Sequence, residues 1–274
     1  MHYVILGLIQ GLTEFLPVSS SGHLVISQNL LGIGIPGVAF EVFVHFGTSL
    51  AVICLFKKEI KKIIISFLKS ILMLFNWPLF FSYIKEDDHC KFAWLLFIST
   101  MPGAIIGYLF QNTIERMFES TLLTAFMLMI TGLCLFLTDK YFIQGTKTIR
   151  EINWVDAILI GLAQTFAIIP GISRSGFTIM MGLSRRLERK FAAQYSFILS
   201  IPIIMGASVY KLREIFQLNM NISVFLISGL AAFLSGYLAM LFFTKMLINF
   251  KLHFFSYYLW IVSIIVVFLI IKSW

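Results

Sequence analysis

The chain carries the polar segment Pro17-Val18-Ser19-Ser20-Ser21-Gly22-His23 between an apolar stretch at residues 3–16 and a second one that starts at Leu24. Residues 154–169 break off in the same way at Pro170-Gly171-Ile172-Ser173-Arg174-Ser175-Gly176. A membrane-spanning helix needs about 20 mostly apolar residues, and both stretches are shorter. Broken, polar backbone is tolerated at membrane depth only inside protein or beside a water-filled cavity. Each segment therefore predicts a re-entrant helical hairpin with the polar residues at its tip.

The composition is that of a membrane protein. Of the 274 residues, 59% are hydrophobic and only 12% are charged, and the mean hydropathy is +0.93. Soluble domains carry about 25% charged residues, so the composition excludes a soluble enzyme, a disordered chain and a nucleic-acid binder. Six further apolar stretches are predicted to span: residues 40–56, 92–110, 121–138, 191–210, 222–243 and 254–271. The expected fold class is an all-α polytopic membrane protein.

The two hairpins belong to an internal repeat. At an offset of 154 residues the identities are Gly7 with Gly161, Leu8 with Leu162, Gln10 with Gln164, Ser19 with Ser173, Ser21 with Ser175 and Gly22 with Gly176. Further along the chain the offset is 129, as for Ser99 with Ser228 and Gly107 with Gly236. The offset falls by 25 residues, which predicts an insertion of about that length in the first half.

The repeat predicts one integral membrane domain, residues 1–274, made of two halves at about 1–139 and about 150–274. Each half has one hairpin and three spans, and an odd number of spans gives the second half an inverted topology. Residues 63–84 supply the insertion. Because Lys69 interrupts them and a lysine cluster precedes them, we interpret them as a helix in the membrane interface, with a seventh span as the alternative.

The positive charges favour one orientation. With residues 57–62 placed in the cytoplasm, 16 of the 21 Lys and Arg residues fall inside, four fall outside, and Arg174 lies at a hairpin tip. This asymmetry agrees with the positive-inside rule. The first hairpin then enters from outside and the second from inside, so the two tips can meet near the middle of the membrane.

The tips predict an anion site. Serine and glycine before a helix satisfy its free N–H groups. Because both second limbs begin at the tips, their N-termini point at one volume, where free N–H groups and positive dipole ends favour an anion. Arg174 adds a planar fork that suits phosphate oxygens. A phosphate-type ligand is therefore expected.

Five other ionisable or amide side chains are candidates near this site. Glu14 is either a counter-ion for Arg174 or a general base or metal ligand. Gln10, one turn earlier on the same helix face, could contact a metal through its carbonyl oxygen. His23 is either a packing residue or the acid, base or orienter of a serine nucleophile. Glu41 and His45, one turn apart near the outer end of the first span, either hold the reactive residues in place or line the mouth as polar residues, and the second interpretation is favoured.

Two motifs together resemble the undecaprenyl-diphosphate phosphatases, the bacitracin-resistance membrane proteins of bacteria. One motif runs from Gln10 through Glu14 to the Ser-Ser-Ser-Gly-His segment that ends at His23, and the other runs from Pro170 to Gly176. The resemblance covers essentially the whole chain. It implies a hydrolase that converts undecaprenyl diphosphate to undecaprenyl phosphate and inorganic phosphate, and so recycles the lipid carrier for peptidoglycan and other envelope polymers.

The resemblance also implies roles for individual residues. The catalytic set would be Glu14, Ser20 as nucleophile, His23 as its partner and Arg174 as the diphosphate clamp. The residues that would bind substrate are Gln10, Ser19, Ser21, Gly22, Ser173, Ser175, Gly176 and Thr178. A divalent metal ion, Mg²⁺ or Ca²⁺, would bind at Glu14 with Gln10. Where relatives have Glu at the first motif position, this chain has the neutral Gln10, which weakens a charged metal-ligand role there.

The resemblance further implies the cytoplasmic membrane, with a site that opens to the periplasm and a polyprenyl diphosphate lipid as substrate; nucleic acid is not expected, and a homodimer is left open. The residues alone leave a second class open, because inverted repeats are typical of transporters. That alternative is a transporter or flippase for an anion or a lipid phosphate. Ser20, His23 and Glu14 within one short segment favour chemistry, because an anion transporter needs no nucleophile.

Overall fold

The computed structural model describes residues 2–32, 38–142, 145–217, 222–246 and 251–272. Within these ranges the chain forms helices with the following bounds: α1 His2–Glu14, α2 Ser20–Leu30, α3 Val38–Leu55, α4 Lys57–Leu72, α5 Trp77–Glu86, α6 Asp88–Leu109, α7 Gln111–Phe118, α8 Thr121–Tyr141, α9 Trp154–Phe166, α10 Arg174–Ser184, α11 Arg189–Gln217, α12 Ile222–Met246 and α13 His253–Lys272. The expected all-α membrane fold is confirmed.

The predicted spans coincide with long apolar helices. Five helices are long and apolar enough to cross a membrane by themselves, namely α6, α8, α11, α12 and α13. The remaining predicted span, residues 40–56, corresponds to α3, which is long and apolar enough to cross a membrane only when it is taken together with α4. The two short limbs on each side of the predicted breaks are also helices: α1 and α2 around the first, and α9 and α10 around the second.

The insertion differs from the single helix predicted for residues 63–84. Helix α4 already begins at Lys57 and ends at Leu72, and a new helix, α5, starts at Trp77. The side chain of Asn76 caps α5 by accepting from the N–H of Leu79, which explains the restart. Helix α4 is bent by 91° from α3, the angle expected of a helix lying along the membrane surface beneath a span. Neither α4, with 16 residues, nor α5, with 10, is long enough for a seventh span.

Helices of the first half of the sequence pack directly against helices of the second half. Helix α1 packs on α12 and α9 packs on α6, while α3 contacts α11 and α8 contacts α13. The closest approaches recur at equivalent positions: a Cβ on Gly7 would strike the carbonyl oxygen of Ser228, and a Cβ on Gly161 would strike that of Ser99. Glycine is therefore required at both crossings. These pairings are those that two exchanged repeats would give, whereas their opposite orientation in the membrane stays a prediction.

Ion pairs at the helix ends join residues that the predicted threading places on one side. At one end, Arg189 pairs with Asp139 at 3.0 Å and Arg150 pairs with Asp88 at 3.2 Å. At the other end, Lys211 pairs with Glu115 at 2.7 Å. The threading of the chain is thus consistent with the structure, and the cytoplasmic identity of the first end stays a prediction.

Candidate active site

The two hairpin tips contact each other. The Ser175 hydroxyl of the second hairpin donates to the carbonyl of Leu16 at 3.0 Å, and the Ser19 hydroxyl of the first donates to the carbonyl of Ile172 at 3.3 Å. These two bonds satisfy backbone carbonyls that would otherwise be buried without a donor. The breaks in α1–α2 and α9–α10 therefore lie side by side, at the start of both second limbs.

Each second limb starts with a serine cap. The Ser19 side chain accepts from the N–H of Gly22 at 3.3 Å, and the Ser173 side chain accepts from the N–H of Gly176 at 3.1 Å. Ser19 has a positive φ of 66°, which is uncommon for a residue with a side chain and typical of strained functional turns. The N-capping interpretation of these serines is thus confirmed at both tips.

Glu14 is the centre of the site. Its Oε1 accepts from an Nη of Arg174 at 2.6 Å, and its Oε2 accepts from the Ser20 hydroxyl at 2.5 Å and from Gln10 Nε2 at 2.7 Å. His45 Nε2 lies 3.4 Å from the same Oε2. The carboxylate is 2% exposed and the Arg174 side chain 15% exposed. A buried charge of this kind is tolerated because it is paired and hydrogen-bonded.

The geometry fits an activated serine. Ser20 Oγ is within hydrogen-bond reach of a carboxylate that can take its proton, and Arg174 holds that carboxylate in place. A nucleophile, a base and a group that orients the base form the usual arrangement for nucleophilic catalysis. Ser20 and Arg174 are the first residues of α2 and α10. The N–H groups of the first two residues of each helix precede the capped third one, and they can bind an anion at the tips.

The structure does not bring His23 to Ser20. Its Nδ1 lies 2.8 Å from the carbonyl oxygen of Ser19, and its Nε2 lies 2.7 Å from the hydroxyl of Tyr258 on α13. Because a carbonyl oxygen only accepts, Nδ1 carries the hydrogen. In the neutral ring Nε2 then accepts from Tyr258. The expected pairing of His23 with a serine nucleophile is therefore absent among the described contacts, and Glu14 occupies the partner's place.

Of the two roles that the sequence leaves open for His45, the structure favours support of the site, because the ring lies beside Glu14. Its Nδ1 is 2.7 Å from the carbonyl oxygen of Glu41, one turn earlier, and this contact turns Nε2 towards Glu14. The one available signal was a histidine on a span at membrane depth, where ionisable residues are functional candidates. Its contact with Glu14, 31 positions away in the sequence, could not be deduced from spacing.

The remaining predicted substrate-binding residues surround this centre. Ser173 and Ser175 Oγ are 3.3 Å apart, as are Ser19 and Ser21 Oγ. Thr178 faces α11, where its hydroxyl lies 2.6 Å from that of Ser196, and it also donates to the Arg174 carbonyl. Gly22 and Gly176 are the third residues of their helices. Several of these hydroxyls are thus already engaged, either within their own tip or with α11.

Gln10 leaves one atom without a partner. Its Nε2 is bound to Glu14, while its Oε1 is buried and has no hydrogen-bond partner among the described residues. Exchanging the two amide atoms would set oxygen against the carboxylate, so this orientation is fixed. A free amide oxygen beside a carboxylate matches the oxygen ligands that Mg²⁺ and Ca²⁺ prefer. In the described ranges no group of three or more His, Cys, Asp or Glu side chains is arranged to hold a metal ion.

Comparisons with known proteins all indicate the same family. The family model described as "Bacitracin resistance protein BacA" matches residues 3–265. An undecaprenyl-diphosphatase of Thermosipho africanus is 42% identical over 268 residues, which cover 98% of this chain and 99% of the relative. Undecaprenyl-diphosphatases of Desulforapulum autotrophicum and Methanobrevibacter smithii are each 41% identical, and each alignment covers 96% of this chain and 95% of the relative.

Proposed function

Because the chain belongs to the bacitracin resistance protein BacA family, we propose that it is an undecaprenyl-diphosphatase, a membrane hydrolase that converts undecaprenyl diphosphate to undecaprenyl phosphate and inorganic phosphate. This reaction returns the lipid carrier to cell-wall synthesis, and its capacity underlies bacitracin resistance. The observation that carries the proposal is the contact of both Ser20 and Arg174 with the buried carboxylate of Glu14.

The first chemical step follows from that geometry. Ser20 Oγ attacks the terminal phosphorus as its proton passes to Glu14, and the bond from that phosphorus to the bridging oxygen breaks, which releases undecaprenyl phosphate. Arg174 and the N–H groups at the starts of α2 and α10 stabilise the charge that develops on the phosphoryl oxygens. Water then cleaves the phosphoserine and inorganic phosphate leaves. Direct attack by water, with Glu14 as base, is the competing route.

A divalent cation fits beside this step. Gln10 Oε1 and Glu14 would hold it, with the remaining ligands from the diphosphate, since Mg²⁺ is commonly bound by one or two carboxylates and substrate phosphates. Such an ion would supply positive charge near the oxygens of the phosphate that leaves with the lipid. With the ion present, Arg174 still binds the phosphoryl oxygens and orients Glu14, and Glu14 still takes the proton of Ser20.

The decisive experiment measures phosphate release from undecaprenyl diphosphate by the purified protein in detergent, with and without a chelator. The parent should release phosphate and lose this activity with chelator. A transporter or flippase of the same fold, which the paired halves also favour, would release none. The Ser20→Ala variant separates attack by Ser20 from direct attack by water. If Ser20 is the nucleophile, this variant should be inactive and the parent should yield a phosphoserine that can be trapped. An active Ser20→Ala variant would indicate direct attack by water.

We place the protein in the cytoplasmic membrane with the site open to the periplasm, on the strength of the charge asymmetry and of the hairpin that enters from outside. Single cysteines at Lys58, Arg186 and Arg116 test this orientation against an impermeant thiol reagent applied to intact spheroplasts. Only the cysteine at position 116 should react. Labelling at position 186 without labelling at 116 would reverse the orientation.

A further inference from the structure

A groove separate from the catalytic cluster runs between α6, α7 and α11. Its volume is about 420 Å³ and its walls are largely apolar, within the range of sites that hold small molecules. Val42 of α3 and Ile168 of the second hairpin form part of the wall, and Glu115 and Lys211 lie at one end. Neither Glu14, Ser20 nor Arg174 lines it.

Glycines keep the groove open without serving helix packing. A Cβ on Gly206 would meet no heavy atom of the described residues within 4 Å, and a Cβ on Gly107 would meet only Ile168 Cδ1 at 4.0 Å. The glycines of the α1–α12 and α6–α9 crossings differ, because there a Cβ would collide with backbone. Glycine inside a helix costs roughly 1 kcal/mol relative to alanine, so two glycines that free no packing contact indicate space kept for an occupant.

Two elements that carry the site also form part of the groove wall. Val42 is three residues before His45, whose ring faces Glu14. Ile168 lies in the link that leads to Arg174. Glu115 and Lys211, which also line it, lie on the side that the charge distribution places outside. The groove therefore adjoins elements of the site and extends to the outer side of the helices.

From these observations, and resting on the proposed function, we infer that this groove holds the prenyl chain of the substrate while its diphosphate lies at Glu14 and Arg174. A branched, apolar chain fits smooth walls of glycine, alanine and isoleucine, and its burial there adds binding energy that a headgroup alone lacks. Because its volume is smaller than a whole undecaprenyl chain, the groove holds the isoprene units nearest the diphosphate and makes the enzyme favour prenyl diphosphates over diphosphates without a chain.

The test fills the groove from either wall. Gly206→Leu and Gly107→Leu each place a side chain in open space, and both should fold because leucine favours the helix. Phosphate release is measured over a range of undecaprenyl diphosphate concentrations. We expect KM to rise at least about tenfold with kcat kept within about threefold, the pattern of lost uniform binding. Inhibition by inorganic pyrophosphate, a probe without a chain, should be unchanged.

Val209→Leu is the matched control, since Val209 lies on α11 but is exposed away from the groove. Thermal unfolding in detergent checks that all three variants fold. An unchanged KM in both glycine variants, or an equal rise in the Val209 variant, overturns the inference while leaving the hydrolase intact. Absence of phosphate release by the parent would instead overturn the proposed function.

Discussion

The first and second hairpins share their turn chemistry and differ in their reactive side chains. Ser19 and Ser173 cap the second limbs through the same bond to the third residue of the helix. At the offset of 154, however, the reactive positions differ: Glu14 corresponds to Ile168, Ser20 to Arg174 and His23 to Phe177. The two hairpins thus share the capped turn. The base and the nucleophile lie on the first hairpin, and the positively charged Arg174 lies on the second.

Ser20 and Arg174 show how this division produces one site. Each is the first residue of its second limb, and the two donate to opposite oxygens of Glu14. Because the tips meet, Ser20 and Arg174, which are equivalent positions of the repeat, both contact the carboxylate of Glu14, and only the first hairpin has this carboxylate. The comparison teaches that the site depends on both halves at once, and each prediction below changes one side of it.

The largest effect is expected for Glu14→Gln. The amide retains the size of the side chain but cannot take the Ser20 proton, and it leaves Arg174 without its counter-ion. General base catalysis contributes about 100- to 10,000-fold, so phosphate release should fall by that factor and metal dependence should weaken. Glu119→Gln, an exposed carboxylate change, is the control. Parental activity with an unchanged metal midpoint would make Glu14 a structural counter-ion only.

Arg174→Lys tests the contribution of the second hairpin. Lysine keeps the charge, but its ammonium cannot replace a planar fork that reaches both Glu14 and a phosphate. Loss of a charge-assisted bond of about 2–3 kcal/mol corresponds to a fall in kcat/KM of roughly 30- to 150-fold. Turnover close to the parent's would mean that this position supplies only positive potential.

Gln10→Glu tests the proposed metal site. The substitution replaces a donor to Glu14 by a second carboxylate, which repels Glu14 unless a cation lies between them. Activity should therefore depend more strictly on divalent metal, and at saturating metal it should stay within about tenfold of the parent, or roughly 1.4 kcal/mol. A metal titration of phosphate release measures both quantities. An unchanged titration curve would argue against a metal at Gln10.

His23→Phe makes the first hairpin resemble the second at this position. Because His23 is bonded to Ser19 and Tyr258 and not to Ser20, phenylalanine should preserve packing and reduce kcat by less than about tenfold, below the usual contribution of a general base. The pH profile of kcat should keep its shape. A loss as large as that of Glu14→Gln would return His23 to the role of the serine's partner.

The sequence predicted the parts of the molecule that depend on local pattern. Apolar length gave the spans, Pro and Gly gave the two breaks, and the cost of burying charge singled out Glu14 and Arg174. It missed features that depend on contacts between distant segments, such as His45 on Glu14 and Tyr258 on His23. The division of the insertion at Asn76 had a local signal, an N-cap followed by Trp77-Pro78, but apolar residues on both sides concealed it.

The smallest effect on activity is expected at Gln164, the counterpart of Gln10 in the second hairpin. Gln164 is 3% exposed, and neither its Nε2 nor its Oε1 has a hydrogen-bond partner among the described residues. Its amide lies behind Gly103, facing no carboxylate, because the position equivalent to Glu14 is Ile168. An unsatisfied buried polar group costs about 1–3 kcal/mol, so Gln164→Met, which keeps the length of the side chain, should raise the thermal unfolding midpoint and leave phosphate release within about twofold.

Gln10→Met should lower the unfolding midpoint and reduce phosphate release, because Glu14 loses a donor and the metal site loses its amide oxygen. Both variants are compared by thermal unfolding in detergent and by phosphate release at saturating metal. A lower midpoint or a loss of activity in Gln164→Met would show that the second hairpin's amide has a bound partner, and that the two hairpins are more alike than their reactive residues indicate.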